Sequence, residues 1–182
     1  TEYSPDVVTG LITRITTPDG RASAFYYNHH NQLTSATGPD GLELRREYDE
    51  LGRLIQETAP DGDITRYRYD NPHSDLPCAT EDATGSRKTM TWSRYGQLLS
   101  FTDCSGYVTR YDHDRFGQMT AVHREEGLSQ YRAYDSRGQL IAVKDTQGHE
   151  TRYEYNIAGD LTAVIAPDGS RNGTQYDAWG KA

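Results

Sequence analysis

Two kinds of segment alternate along the chain. In Ile64-Thr65-Arg66-Tyr67-Arg68-Tyr69, one side carries Thr65, Tyr67 and Tyr69 and the other carries Ile64, Arg66 and Arg68. The stretch 150–155 repeats this, with Thr151, Tyr153 and Tyr155 opposite Glu150, Arg152 and Glu154. A period of two with one charged side predicts a half-exposed β-strand. The second kind of segment opens on an apolar residue: Ile12, Leu33, Leu54, Leu98, Met119, Leu140 or Leu161. Three residues further on, Ile15, Phe101, Val122, Val143 and Val164 are apolar, while Ala36 and Glu57 depart from the trend. A spacing of three does not fit a flat strand, so a bulge or bend is expected at a place the pattern does not fix. No segment of useful length has helical periodicity.

Turn signals separate these strands and set a repeat. Pro18-Asp19-Gly20, Pro39-Asp40-Gly41, Pro60-Asp61-Gly62 and Pro167-Asp168-Gly169 are in phase, and Gly106, Gly127 and Gly148 mark weaker copies. Proline presets φ, aspartate caps locally and glycine accepts positive φ, so each is a turn. The other signal is Tyr48-Asp49-Glu50-Leu51-Gly52-Arg53-Leu54, which returns at Tyr134 to Leu140 and Tyr155 to Leu161, and once more as Tyr176-Asp177-Ala178-Trp179-Gly180. Its anchors are Tyr27, Tyr48, Tyr69, Trp92, His113, Tyr134, Tyr155 and Tyr176, spaced by 21 residues except for one step of 23. Stepping back 21 from Tyr27 reaches Asp6, with Gly10 and Ile12 in the glycine and leucine places. The longer unit, 69–91, holds Pro72 and Pro77 and lacks the anchor glycine, which predicts a longer loop at a sheet margin.

Two turns per 21 residues leave two short strands. The expected fold is therefore all-β: tandem 21-residue β-hairpins in a continuous antiparallel sheet, read as one array of about eight repeats over 1–182. A single hairpin cannot bury its apolar side; a stack of them can, with tyrosine and leucine ladders running from repeat to repeat.

Composition changes this picture little. Only 34% of residues are hydrophobic and the mean hydropathy is −0.87, values that also suit disorder. The 14 tyrosines, recurring in phase, favour strands instead. A net charge of −8 argues against nucleic-acid binding and against an anionic membrane surface. No stretch is long and apolar enough for a transmembrane helix, and the first residues do not resemble a signal peptide. The chain is read as a segment of something longer, with uncapped outer strands expected to expose backbone groups. Cys78 and Cys104 are expected to be free thiols.

Candidate chemistry is sparse. Turn preference accounts for the Pro-Asp-Gly aspartates without calcium. Of His29, His30, His73, His113, His123 and His149, the adjacent pair is expected to point apart on a strand, His113 to be a packed substitute for tyrosine, and no spacing suits zinc. Ser, His and Asp are plentiful, but no Gly-x-Ser-x-Gly elbow occurs and nothing favours a triad. The tyrosine ladder could stack on sugars, which leaves an exported carbohydrate-binding or adhesive module as the alternative function. No catalytic, cofactor-binding or metal-ligating residue is assigned, and the chain is not expected to be an enzyme.

The pattern Tyr-Asp-x-x-Gly-x-Leu, then Pro-Asp-Gly, then Thr-Arg-Tyr-x-Tyr resembles the RHS/YD-repeat family over essentially the whole chain. The likeness is to the core of bacterial Rhs polymorphic toxins, related to TcC toxin components and teneurins. It implies a scaffold segment of a spiralling hollow β-shell enclosing a C-terminal toxin domain. It also implies neighbouring repeats, the enclosed toxin and secretion-system components as partners. Location would be secreted or cell-surface through the parent protein, by a type VI or other route, and cytoplasmic before export, with a role in bacterial competition. The family's aspartate-containing self-cleavage region has no Asp-Pro-x-Gly-Leu counterpart here, so no catalytic residue is carried over.

Overall fold

A computed structural model describes residues 1–177. The Ala178-Trp179-Gly180 end of the last repeat signal lies outside the described residues. Apart from one 3-10 turn at Glu125–Gly127, these residues form antiparallel strands and turns. The chain divides at Thr89/Met90 into two compact units.

The first unit holds β1 (Glu2–Pro5), β2 (Ile12–Thr16), β3 (Ala22–Tyr27), β4 (Leu33–Thr37), β5 (Glu43–Tyr48), β6 (Leu54–Thr58), β7 (Ile64–Arg68), β8 (Ala79–Glu81) and the start of β9 (Arg87–Trp92). Each strand pairs antiparallel with the next. The second unit takes up β9 from Met90 and continues as β10 (Leu98–Thr102), β11 (Val108–His113), β12 (Met119–His123), β13 (Ser129–Tyr134), β14 (Leu140–Asp145), β15 (Glu150–Tyr155), β16 (Leu161–Ile165) and β17 (Arg171–Gly173). It too is a meander of sequential antiparallel pairs.

The register locates the bulge that the spacing of three requires. Tyr26 pairs with Ser35 but Tyr27 pairs with Leu33, so Thr34 is the extra residue. The same shift falls at Glu47/Tyr48, Asp112/His113, Ala133/Tyr134 and Glu154/Tyr155. One inserted residue returns positions i and i+3 to the same face. Leu33 and Ala36 therefore lie opposite Tyr27 and Phe25, and Met119 and Val122 lie opposite His113 and Tyr111. Glu57 falls in the apolar column opposite Arg46, and their side chains form an ion pair at 2.8 Å.

Both kinds of turn have the same backbone. In Asp49 to Arg53, the Gly52 N–H donates to the Asp49 carbonyl and the Asp49 N–H to the Arg53 carbonyl. In Thr17 to Arg21 the Gly20 N–H donates to Thr17 and the Thr17 N–H to Arg21 in the same way. The fourth residue must be left-handed: Gly20 has φ 81° and Gly52 φ 79°, a conformation glycine adopts without strain. Asn31, at φ 63°, fills that place in the Tyr27 repeat. Of the weaker copies, Gly106 and Gly148 close the same turn, whereas Gly127 follows Glu126, itself at φ 62°, in the 3-10 turn.

Strand burial alternates as the pattern predicts. In β5, Leu44, Arg46 and Tyr48 are half-buried while Arg45 and Glu47 are exposed. Among the described residues only Ala79, Ala121, Val122 and Ala163 are buried. Hairpin-to-hairpin contact, not a two-layer core, is what holds each unit together.

Candidate functional site: the tyrosine edge

The anchors define one edge of each meander. Tyr27, Tyr48, Tyr134 and Tyr155 each end a strand and pair through the backbone with the leucine-column residue that follows. Their hydroxyls reach the opposite way. Tyr27 donates to the Ile12 carbonyl, Tyr48 to Leu33, Tyr69 to Leu54, Tyr134 to Met119, Tyr155 to Leu140 and Tyr176 to Leu161, each at 2.7 Å and each 15 residues back. One tyrosine thus ties three strands and joins its repeat to the preceding one. The bulge explains the free acceptor, because the leucine-column carbonyl sits where ladder pairing is interrupted. His113 occupies the same place opposite Met119 but carries no hydroxyl to reach across. Trp92, the remaining anchor, is half-buried at the end of β9.

A second ladder runs the other way. The Gln32 side-chain amide donates to the Gly52 carbonyl at 2.6 Å, and Gln139 to Gly159 at 3.2 Å, each 20 residues ahead. The glutamines approach these glycines closely: a Cβ would lie 3.4 Å from the Gln32 amide nitrogen at Gly52, 3.2 Å from that of Gln139 at Gly159, 2.9 Å from that of Gln97 at Gly117 and 2.7 Å from that of Gln118 at Gly138, where the glutamine would have to shift. The sequence reading missed this ladder. Its signal is the recurrence of glutamine between the anchor glycine and the leucine column, at Gln32, Gln97, Gln118 and Gln139.

Arg53 takes the glutamine place in front of the irregular unit. Its Nε pairs with the Asp49 carboxylate at 2.7 Å, and its Nη1 donates to the carbonyls of Asn71 (2.9 Å) and Ser74 (3.2 Å). Its guanidinium carbon lies 4.4 Å from the centre of the Tyr69 ring. The Tyr69 to Cys78 loop is thereby pinned to the same edge, and Tyr69's phenol is pushed up by burial. Burial raises the Asp49 carboxyl, but the Arg53 N–H and guanidinium outweigh it and hold the group below its ordinary value. An open cleft of about 560 Å³ lies here, lined by His30, Gln32, Arg53, Tyr69 and Asp75 among others.

The opposite edge carries the Pro-Asp-Gly turns, whose aspartates act locally. Asp40, Asp61 and Asp168 each accept the N–H two residues on, at 3.0, 3.1 and 2.9 Å. Asp19 accepts from the Thr17 hydroxyl. Asp19 and Asp168 are held below the ordinary carboxylate range, chiefly by the Thr17 and Ser170 hydroxyls. Where the Pro-Asp-Gly sequence is lost, side chains cross between repeats: the Val108 N–H donates to Glu125 at 3.0 Å, and the Ser129 N–H to Thr146 Oγ1 at 2.5 Å. Gly85, the glycine of this column in the irregular unit, was also missed, because the 23-residue step moves it out of phase. It closes the Asp82 turn at φ 83°.

Two expectations about histidine need correction or refinement. His29 and His30 do not point apart on a strand. They occupy the tip of the Asn28 turn, and their ring centroids are 3.8 Å apart, because the chain reverses there and period two no longer applies. A Ser–His–Asp group does assemble across repeats: His123 Nε2 lies 2.8 Å from Asp112 Oδ2 and Nδ1 lies 2.9 Å from Ser129 Oγ. A carboxylate only accepts, so Nε2 of the neutral ring carries the proton and Nδ1 accepts from Ser129. Ser129's own amide is committed to Thr146 and is not available to an oxyanion.

Among the described residues no cluster of His, Cys, Asp or Glu is arranged to hold a metal, and Cys78 and Cys104 are unpaired, half-buried and exposed respectively. No helix among them is long and apolar enough to cross a membrane.

The RHS Repeat family model matches residues 8–43, 48–73, 92–129 and 134–171. Over 60 residues, 33% of this chain, the sequence is 47% identical to double-stranded DNA deaminase toxin A of Burkholderia cenocepacia strain H111, of which the matched part is 4%. The fold is similar to that in the TcdB2-TccC3-Cdc42 crystal structure, with a TM-score of 0.61 and 15% identity, over 94% of this chain and 12% of that one. It is similar to that in a Photorhabdus luminescens Tc holotoxin pore, with a TM-score of 0.62 and 12% identity, over the same shares. At these identities the structural likeness is one of fold, and the chain spans a small part of each relative.

Proposed function

The chain belongs to the RHS repeat family, and from that premise we propose that it is a scaffold segment of a toxin shell which encloses a C-terminal toxin domain and helps deliver it. The observation that carries this reading is the paired ladder at the tyrosine edge. Six phenols and the glutamine amides are spent on joining repeat to repeat. Side chains used to join one repeat to the next support the reading of this edge as wall. Secretion of the parent protein, by a type VI or another route, and a role in bacterial competition belong to the same proposal, as does the absence of catalysis by this segment.

The carbohydrate-binding alternative needs free aromatic faces along the ladder. The anchor rings are half-buried with their hydroxyls occupied, which weighs against it. A protease-protection experiment on the parent protein tests the scaffold reading. The toxin domain should resist cleavage in the intact protein and become sensitive when Tyr48, Tyr134 and Tyr155 are all changed to Phe. Equal cleavage in both would overturn it. A glycan array on the purified segment tests the alternative, which predicts reproducible binding that replacing several ladder tyrosines with Ser removes, since Phe would keep the stacking face.

A further inference from the structure

The two edges of the meander differ in what their tips expose. In the second unit, two consecutive tyrosine-edge turns present Arg94-Tyr95 and Arg115-Phe116, all exposed, while Arg137 of the next turn donates to the Ile157 carbonyl at 2.7 Å. Tyr95 is 72% and Phe116 73% accessible, with the Arg94 and Arg115 guanidiniums 4.6 and 4.7 Å from the ring centres. Arginine and aromatic side chains are the residue types enriched in protein interfaces. In the first unit, three consecutive turns on the other edge present Pro18-Asp19, Pro39-Asp40 and Pro60-Asp61, all exposed.

We propose that the Arg–aromatic tips of the second unit dock onto the Pro–Asp tips of the first unit in a second copy of this chain. Two features of the molecule select that partner. The first is charge and shape: guanidiniums pair with carboxylates, and flat rings pack on proline rings. The second is period. Tips on either edge recur every two strands, or about 9 to 10 Å at ordinary strand spacing, so the two Arg–aromatic tips can meet two Pro–Asp tips in register. The contact joins unlike surfaces, so it is heterologous, and a pair of copies leaves one set of tips of each kind unpaired. This proposal rests on the scaffold reading only in naming repeats as partners; the protease-protection result can hold or fail independently of it.

Sedimentation of the purified chain over a concentration series tests it. Wild type should self-associate, more weakly as salt rises. The variant Arg94→Glu/Arg115→Glu should weaken association about tenfold or more while leaving the circular dichroism spectrum unchanged. Adding Asp40→Lys/Asp61→Lys to it should restore association by reversing the pairing. A second set, Tyr95→Ser/Phe116→Ser, should weaken association without altering its salt dependence. A wild type that stays monomeric throughout, or an Arg94→Glu/Arg115→Glu variant that associates as wild type does, would overturn the proposal. The latter result would point to pairing through outer strands.

Discussion

The tyrosine edge and the Pro-Asp-Gly edge share one turn geometry, yet they do different work. At Gly52 and at Gly20 the backbone makes the same pair of hydrogen bonds with nearly the same φ. Around Gly52, the Tyr48 hydroxyl reaches 15 residues back and the Gln32 amide arrives from 20 residues before; around Gly20 side chains reach only two to four residues. A turn can therefore be only a reversal, or it can also be a joint between repeats, and the flanking side chains decide which. The second unit makes the point from the other side, since Glu125 and Thr146 tie repeats together where proline and aspartate are missing.

The largest way to break this contrast is to remove several joints at once. Changing Tyr48, Tyr134 and Tyr155 together to Phe leaves three carbonyls without partners. At about 1 kcal/mol per bond and near-additivity for separated sites, roughly 3 kcal/mol of stability should be lost in urea denaturation. Asp40→Asn with Asp61→Asn on the other edge should cost well under 1 kcal/mol, because the amide oxygen still accepts the same N–H.

Arg53→Leu comes next. It removes the guanidinium from Asp49 and from the carbonyls of Asn71 and Ser74, at an expected cost of about 2 kcal/mol for a charged donor. Limited proteolysis should show new cleavage between Tyr69 and Cys78; unchanged resistance would mean that the loop is held by something else.

A pair of glycine substitutions sharpens the comparison. Gly41→Ala and Gly138→Ala both force alanine into a left-handed conformation, at about 1 to 2 kcal/mol. Nothing lies within 4 Å of a Cβ at Gly41, whereas one at Gly138 meets the Gln118 amide. Gly138→Ala should therefore cost more, and truncating Gln118 to Ala should erase the difference. Equal melting shifts in the parent background would show that the glutamine place is passive.

Acid should affect the edges evenly. Asp6, Asp49, Asp82 and Asp168 are all held below the ordinary value of 3.8. A depressed folded pKa means that the stabilisation is present above 3.8 and is lost as pH falls through the lower folded values. Melting temperature should decline below about pH 4, while the tyrosine bonds, made by neutral hydroxyls, persist. A melting temperature that holds unchanged below about pH 4 would contradict this.

Much of this was legible in the sequence because the chain states its rule eight times. The 21-residue spacing, Pro-Asp-Gly and the alternation in 64–69 led directly to hairpins and to strand faces. The bulge was visible as an apolar spacing of three, but its position depends on pairing between strands, which one strand's pattern does not contain. The glutamine ladder was missed for a related reason. Gln32 looks like a solvated polar residue until the next repeat's turn is beside it. The histidine pair misled because period two was applied across a turn tip. The Ser129–His123–Asp112 group was invisible, since it draws on three strands with no shared local motif.

The tyrosine joint itself can be observed through its hydroxyl proton. Tyrosine labelled with carbon-13 beside the oxygen reports hydroxyl exchange by its isotope shift. The account predicts slow exchange for Tyr27, Tyr48, Tyr69, Tyr134 and Tyr155, and fast exchange for the exposed Tyr26, Tyr95 and Tyr107. Fast exchange at all of them alike would contradict the claim that the anchors join one repeat to the next.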